Sequence, residues 1–187
     1  MRILFVLEHY FPYVGGAEQL FKSVAEGLAA KGHEVRILTT LYDDKLPKSD
    51  VVNQVEIRRI NCYNRFLFTA LSIPKAIHFA GHSDLILTTS YTAAFPAWVA
   101  GVLKQKKRII VFHEVWEKLW WRLPYLTFFQ RLSYWGFEQF ILKLTFHQFI
   151  AVSDFTKKCL QESGIPKSKI SRIYNGLNYE EFQTFKW

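Results

Sequence analysis

The opening segment constrains the fold most. Residues 3–7, Ile-Leu-Phe-Val-Leu, form a short unbroken apolar run, the pattern of a strand covered on both faces. A loop with Pro12, Gly15 and Gly16 follows. Ala17, Leu20, Phe21, Val24, Ala25, Leu28 and Ala29 then recur at the spacing of one helical face. Gly32 ends this helix, and residues 35–39 read as a second strand. Strand, helix and strand joined by short loops are the start of a parallel β-α-β unit.

The alternation continues down the chain. Strands are expected at 55–60, 85–88, 109–112, 149–152 and 170–174. Helices are expected over most of 66–79, over 93–103 despite Pro96, and after Trp116 with a break near Pro124. A further helix is capped by Ser153, carries Asp154 in its first turn and ends near Gly164. The pair Asn175-Gly176 marks a turn. The prediction is an α/β fold: a doubly wound, mostly parallel, Rossmann-like sheet flanked by helices. With 187 residues, half of them hydrophobic and 21% charged, the chain is large enough for a real core, which excludes a disordered class. The longest uncharged run, 85–103, is interrupted by Thr88, Thr89, Ser90, Tyr91, Thr92 and Pro96. It therefore reads as strand, loop and helix rather than a membrane span. The apolar run at 3–7 is too short for an export signal. Cys62 and Cys159 fit a reducing compartment as buried thiols.

Ligands of such sheets bind beyond the carboxyl ends of the strands. Gly15 and Gly16 let backbone approach a ligand, and the amides of the following helix favour an anion such as a diphosphate. The same pair also serves as a plain turn. Neither G-x-G-x-x-G nor the P-loop pattern occurs, which argues against a nicotinamide dehydrogenase and a P-loop ATPase. His113-Glu114 follows the strand at 109–112, where a histidine either bonds a substrate hydroxyl, shuttles a proton, or packs structurally. Glu117 stands where H-E-x-x-H needs its second histidine, and His78 and His82 lack a third ligand, so no metal site is predicted. Charge and aromatics concentrate late in the chain. Residues 1–103 carry 10 basic and 9 acidic groups and the remainder 14 and 7, while 12 of 32 aromatics fall within 116–149. Trp116, Trp120 and Trp121 interleave with Lys118 and Arg122. This mix suits either contact with an anionic membrane surface or packing against core or partner. Absence of nucleic-acid-binding signatures argues against nucleic acid.

Several blocks taken in order resemble family-4, GT-B fold glycosyltransferases. They are Arg2-Ile3-Leu4-Phe5-Val6, Gly15-Gly16-Ala17-Glu18, Gly32-His33-Glu34-Val35, His113-Glu114, Phe149-Ile150-Ala151-Val152-Ser153, and Ile173-Tyr174-Asn175-Gly176-Leu177-Asn178. The resemblance implies that 1–176 form the N-terminal, acceptor-side domain and that 177–187 begin an interdomain linker, the donor domain being absent. It implies a hexosyltransferase, retaining in outcome, that uses a nucleotide-sugar co-substrate held mainly by that other domain and needs no metal or further cofactor. Such enzymes lack an obvious protein nucleophile, and no carboxylate pair stands out here. By position, Gly15, Gly16, Glu18 and Glu114 would contact donor or acceptor, and His113 would act in catalysis. Trp116, Trp120, Trp121 and Arg122 would meet membrane or partner. The expected acceptor is a glycan or lipid-linked molecule of the cell envelope. The expected location is cytoplasmic, peripheral on the inner membrane face, with a separate donor-domain subunit as a further partner. The alternative is a non-catalytic membrane-associated or partner-binding module that retains the fold.

Overall fold

The structure is a computed structural model in which residues 1–62 and 64–176 are described. The linker expected at 177–187 lies outside the described residues. The chain runs β1 (Arg2–Val6), α1 (Gly16–Ala30), β2 (Glu34–Leu41), β3 (Ser49–Val52) and β4 (Val55–Asn61). It continues through α2 (Arg65–Leu71), α3 (Ile73–Gly81), β5 (Leu85–Thr89), α4 (Ala94–Leu103) and β6 (Lys107–Phe112). α5 (Phe128–Lys143), β7 (Gln148–Ala151), α6 (Asp154–Glu162) and β8 (Ile170–Arg172) complete it. Among the described residues the strands form one sheet in the order β3-β4-β2-β1-β5-β6-β7-β8. Every pairing is parallel except β3 with β4. This is the doubly wound α/β architecture that the alternating pattern predicts.

Alternate residues of β1 feed opposite faces of the sheet, as the two-residue strand period requires. Ile3, Phe5 and Leu7 join Phe21 and Ala25 of α1, together with Val35, Ile37, Val55 and Ile57. Leu4 and Val6 pack with Ala76, Ala80, Ala97 and Ala100 on the other face. These alanines let α3 and α4 lie close to the sheet. A third cluster around Phe112, Phe146, Phe149 and Leu160 fills the β6–β8 end. No helix of the described residues is long and apolar enough to cross a membrane. The uncharged run 85–103 folds as β5, a 3₁₀ turn at Tyr91–Ala93 and α4, with Pro96 in the first helical turn, where its missing N–H costs little.

Several local expectations need correction. The segment 66–79 is mainly helical, as expected, in two helices separated at Ser72 because Pro74 sits in the first turn of α3. β3 was not foreseen: it is an antiparallel edge strand joined to β4 at Asn53-Gln54, both at positive φ as a tight hairpin turn requires. The segment before it is rich in Asp and Lys and shows no apolar period. After Trp116 the chain forms a 3₁₀ turn (Glu117–Arg122), and α5 starts only at Phe128. Thr127 caps α5 in a reciprocal box with Gln130. The last strand stops at Arg172, two residues short of the expected end. Ser153 caps α6 as predicted, its hydroxyl accepting from the Thr156 N–H.

Candidate functional site

Chain order reverses between β1 and β5, which lie side by side at the centre of the sheet. A crevice opens beyond the carboxyl ends at such a switch point. Here it holds an open cavity of ≈ 380 Å³. Leu7, Glu8 and His9 after β1, Ser90 and Tyr91 after β5, and His113 and Glu114 after β6 form three of its walls. Ala17, Glu18 and Phe21 of α1 and Arg65 of α2 close the others.

Of the residues picked from sequence, His113, Glu114 and Glu18 meet in this cavity. His113 packs edge-to-face on Phe21 at 5.9 Å, and its Nε2 is buried without a partner. Burial lowers the imidazole pKa, although Glu114 and Glu18 pull the other way. His113 is thus neutral near pH 7, and its unpaired Nε2 is covered by the surrounding side chains. Gly15 is the N-cap of α1 with extended backbone. A Cβ built there would collide with the Glu18 carboxylate, so Glu18 folds back over the helix start. Among the described residues nothing stands within 4 Å of a Cβ at Gly16, so none of their contacts demands glycine there.

The sequence reading missed a polar cluster at the cavity floor. The Glu8 carboxylate accepts from Arg65 (3.0 Å) and from the Thr92 hydroxyl, and lies 3.3 Å from His9 Nε2. Burial would raise the Glu8 pKa, but His9, Thr92 and Arg65 outweigh it and hold it below the usual range. His9 stacks on Tyr13 at 4.3 Å. The available signal was position, since Glu8 and His9 directly follow the first strand. The cavity also unites three carboxylates, Glu8, Glu18 and Glu114, that are scattered in sequence.

A second cavity of ≈ 370 Å³ shares Arg65, Tyr91 and Glu114 with the first as common wall. Trp116, Trp120, Tyr134 and Phe137 form its aromatic side. Trp116 and Trp120 stack at 5.1 Å, and Trp120 meets Tyr134 at 5.2 Å. These two tryptophans are therefore half-buried pocket walls, whereas Trp121 and Arg122 lie exposed nearby. Beneath the aromatic wall sits Glu138 of α5, 2% exposed. Its carboxylate accepts from the backbone N–H of Trp116 (2.8 Å) and Glu117 (2.7 Å) and from the Tyr91 hydroxyl (3.4 Å). Burial raises the Glu138 pKa more than these donors lower it. Tyr91 and Glu117 both have positive φ, so Glu138 holds two strained residues.

The neutral state of His113 has a measurable consequence. Its folded pKa lies below the ordinary imidazole value of about 6.5. The unfolded chain therefore takes up the proton first as pH falls, and this site contributes a loss of stability from about 6.5 down through the lowered value. Unfolding titrations of wild type should fall across that window, and His113→Gln should remove the slope. An imidazole that titrates at or above the ordinary value by NMR would contradict this.

Fold and crevice together define a Rossmann-like α/β lobe with an open cavity at the β1/β5 switch point. Residues 14–181 match the sequence profile of Glycosyltransferase Family 4, and the chain belongs to that family. It is 36% identical to the lipopolysaccharide glucosyltransferase WaaG of Escherichia coli strain K12 over 58 residues, which are 31% of this chain and 15% of WaaG. Sucrose-phosphate synthase from Thermosynechococcus elongatus superposes with a TM-score of 0.72 at 18% identity, over 96% of this chain and 49% of that one. HepE from Anabaena, solved in complex with UDP and glucose, superposes at 0.65 and 16% identity, over 96% of this chain and 46% of that one. The fold is that of one lobe of a GT-B glycosyltransferase. The chain spans about half the length of these structures and a smaller part of WaaG.

Proposed function

We propose that this chain is the acceptor-binding side of a nucleotide-sugar-dependent glycosyltransferase, a retaining hexosyltransferase of cell-envelope glycan synthesis. The acceptor is a glycan or lipid-linked molecule reached at the cytoplasmic face of the membrane. The observation that carries this reading is the charge of the crevice. Glu8, Glu18 and Glu114 line it, and its one guanidinium, Arg65, is paired to Glu8. A nucleoside diphosphate brings negative charge that such walls repel, whereas the hydroxyls of an acceptor find both donors and carboxylates there. The diphosphate clamp then belongs to a second unit, in the same or a separate polypeptide, that closes over this lobe.

Within that assembly the acceptor hydroxyl oxygen joins the anomeric carbon as the bond from that carbon to the nucleoside diphosphate breaks, the hydroxyl proton passing to the departing diphosphate oxygen. A turn of the neutral His113 ring brings its buried nitrogen to a sugar hydroxyl as hydrogen-bond acceptor, and Glu114 and Glu18 orient others. Gly16 leaves space at the start of α1 for the opposite wall to close, whereas Gly15 is covered by the Glu18 carboxylate. Such positioning supplies much of the rate in group transfer, so one lobe alone transfers little. Trp121 and Arg122, with exposed Phe128 and Phe129 (62% and 79%) beside them, form an aromatic-basic face suited to anionic lipid. No further cofactor enters this scheme.

Calorimetric titration with UDP-glucose and GDP-mannose, alone and with vesicles of anionic phospholipid, tests it. The expected result is vesicle binding without donor binding. Micromolar binding of either donor to this chain alone would overturn the acceptor-side assignment. Failure to bind the vesicles would overturn the membrane location.

A further inference from the structure

The aromatic cavity beside the crevice has a chemistry of its own. One side is aromatic, with Trp116 and Trp120 stacked on each other and Tyr134 tilted against Trp120. The other side carries Glu114 and Arg65, which also border the polar crevice. Its ≈ 370 Å³ falls in the usual size range of small-molecule sites. A ligand that fills it must offer a flat apolar face to the indoles and polar groups to a carboxylate and a guanidinium at its edge. An alkyl chain satisfies the rings but offers no hydrogen-bond partner to Glu114 or to the remaining N–H groups of the Glu8-paired Arg65. A phosphate meets Glu114 and the Glu8–Arg65 pair, where the acidic charge is in excess. A neutral pyranose satisfies both sides, since its C–H face is apolar and its ring hydroxyls lie at the edge.

We infer that this cavity is a subsite for a neutral sugar ring, packed against the aromatic wall of Trp116, Trp120 and Tyr134 with its hydroxyls at Glu114 and Arg65. The inference rests on the acceptor-side reading for the ring's origin: it is the terminal sugar of the acceptor, whose reactive hydroxyl reaches the His113 crevice across the shared wall of Arg65, Tyr91 and Glu114. The subsite makes the acceptor a glycan end rather than a bare lipid phosphate. A lipid further along the same acceptor would leave over the exposed aromatic rim, where Tyr125 is 73% exposed.

Tryptophan fluorescence of the chain, titrated with neutral methyl hexosides and disaccharides, reads the subsite directly. At least one neutral sugar should give a saturable change, with glucose 6-phosphate and n-octanol binding more weakly. Trp120→Ala should weaken sugar binding about tenfold, as expected for loss of a stacking ring. Glu114→Gln, at an exposed position that folding does not depend on, should weaken it about fivefold through the lost charged acceptor. Trp121→Ala, outside the cavity, should leave it unchanged. Absence of binding by every neutral sugar, or equal binding by octanol, would overturn the subsite. So would sugar binding that survives both Trp120→Ala and Glu114→Gln. Competition with UDP-glucose separates the two sources of such a ring. Displacement of the bound sugar would assign the ring to the donor and overturn the acceptor origin while leaving the stacking site intact. Conversely, no sugar binding together with no donor binding would sink the subsite and leave the acceptor-side reading standing.

Discussion

Glu138→Ala should destabilise the protein by about 2–4 kcal/mol, the cost of leaving buried N–H donors unpaired and a cavity behind them. For a chain of this size that lowers the melting temperature by roughly 5–15 °C. Three donors lose their acceptor at once: the Trp116 and Glu117 amides and the Tyr91 hydroxyl. Two of these residues sit at positive φ, so the carboxylate is what offsets their backbone strain. The opposing term is relief of a buried charge. Burial raises the Glu138 pKa, so the folded state holds its proton more firmly than the unfolded chain. Stability from this group therefore falls as pH rises from the ordinary glutamate value, about 4.3, through the raised one. Glu138→Gln should abolish that slope yet still destabilise, because its amide nitrogen is a donor facing a backbone donor. The site should respond as well. With the 3₁₀ turn at Glu117–Arg122 released, Trp116 and Trp120 lose their stacking and sugar binding should drop with them. A variant that melts like wild type across pH 4–8 would show that Glu138 carries no such load.

Most of the scaffold is legible from period alone. The β1–α1–β2 start reads cleanly because β1 is apolar on both faces and α1 shows one unbroken stripe. β3 does not, since an edge strand needs no buried face and its turn is Asn-Gln rather than a glycine pair. The site is legible where it follows strands on the central switch. His113 and Glu114 stand out as polar residues directly after an apolar run, and they do line the crevice. Arg65 and Glu138 are not legible, because they enter from helices distant in sequence and gain their meaning only from packing. The aromatic excess of 116–149 signals that something unusual happens there. It cannot separate pocket wall from surface, and the structure divides the tryptophans between the two, with Trp116 and Trp120 inward and Trp121 outward.

Arg59→Ala should be at least as costly, about 3–5 kcal/mol, the scale for deleting one partner of a buried charged network. Arg59 lies in β4 and is 2% exposed. Strand parity already places it with Val55 and Ile57 on the α1 face, although Arg58 beside it carries the same charge to the opposite side. Its guanidinium donates to the Pro47 carbonyl (2.9 Å) and the Phe11 carbonyl (3.2 Å), with Asp50 3.6 Å away. Removal strands two carbonyls and opens a cavity the length of the side chain. Asp50 is partly solvated, so its lost ion pair is the smaller share of the cost. Arg59→Lys distinguishes charge from geometry, because a single ammonium cannot fork to two carbonyls. It should recover less than half of the loss. The damage should also reach the crevice, since Phe11 belongs to the loop that carries Glu8, His9 and Tyr13 into it. Hydrogen exchange should therefore rise first in residues 8–14, ahead of β4 itself. If β4 opens while that loop stays protected, Arg59 stabilises the sheet edge alone and plays no part in shaping the site.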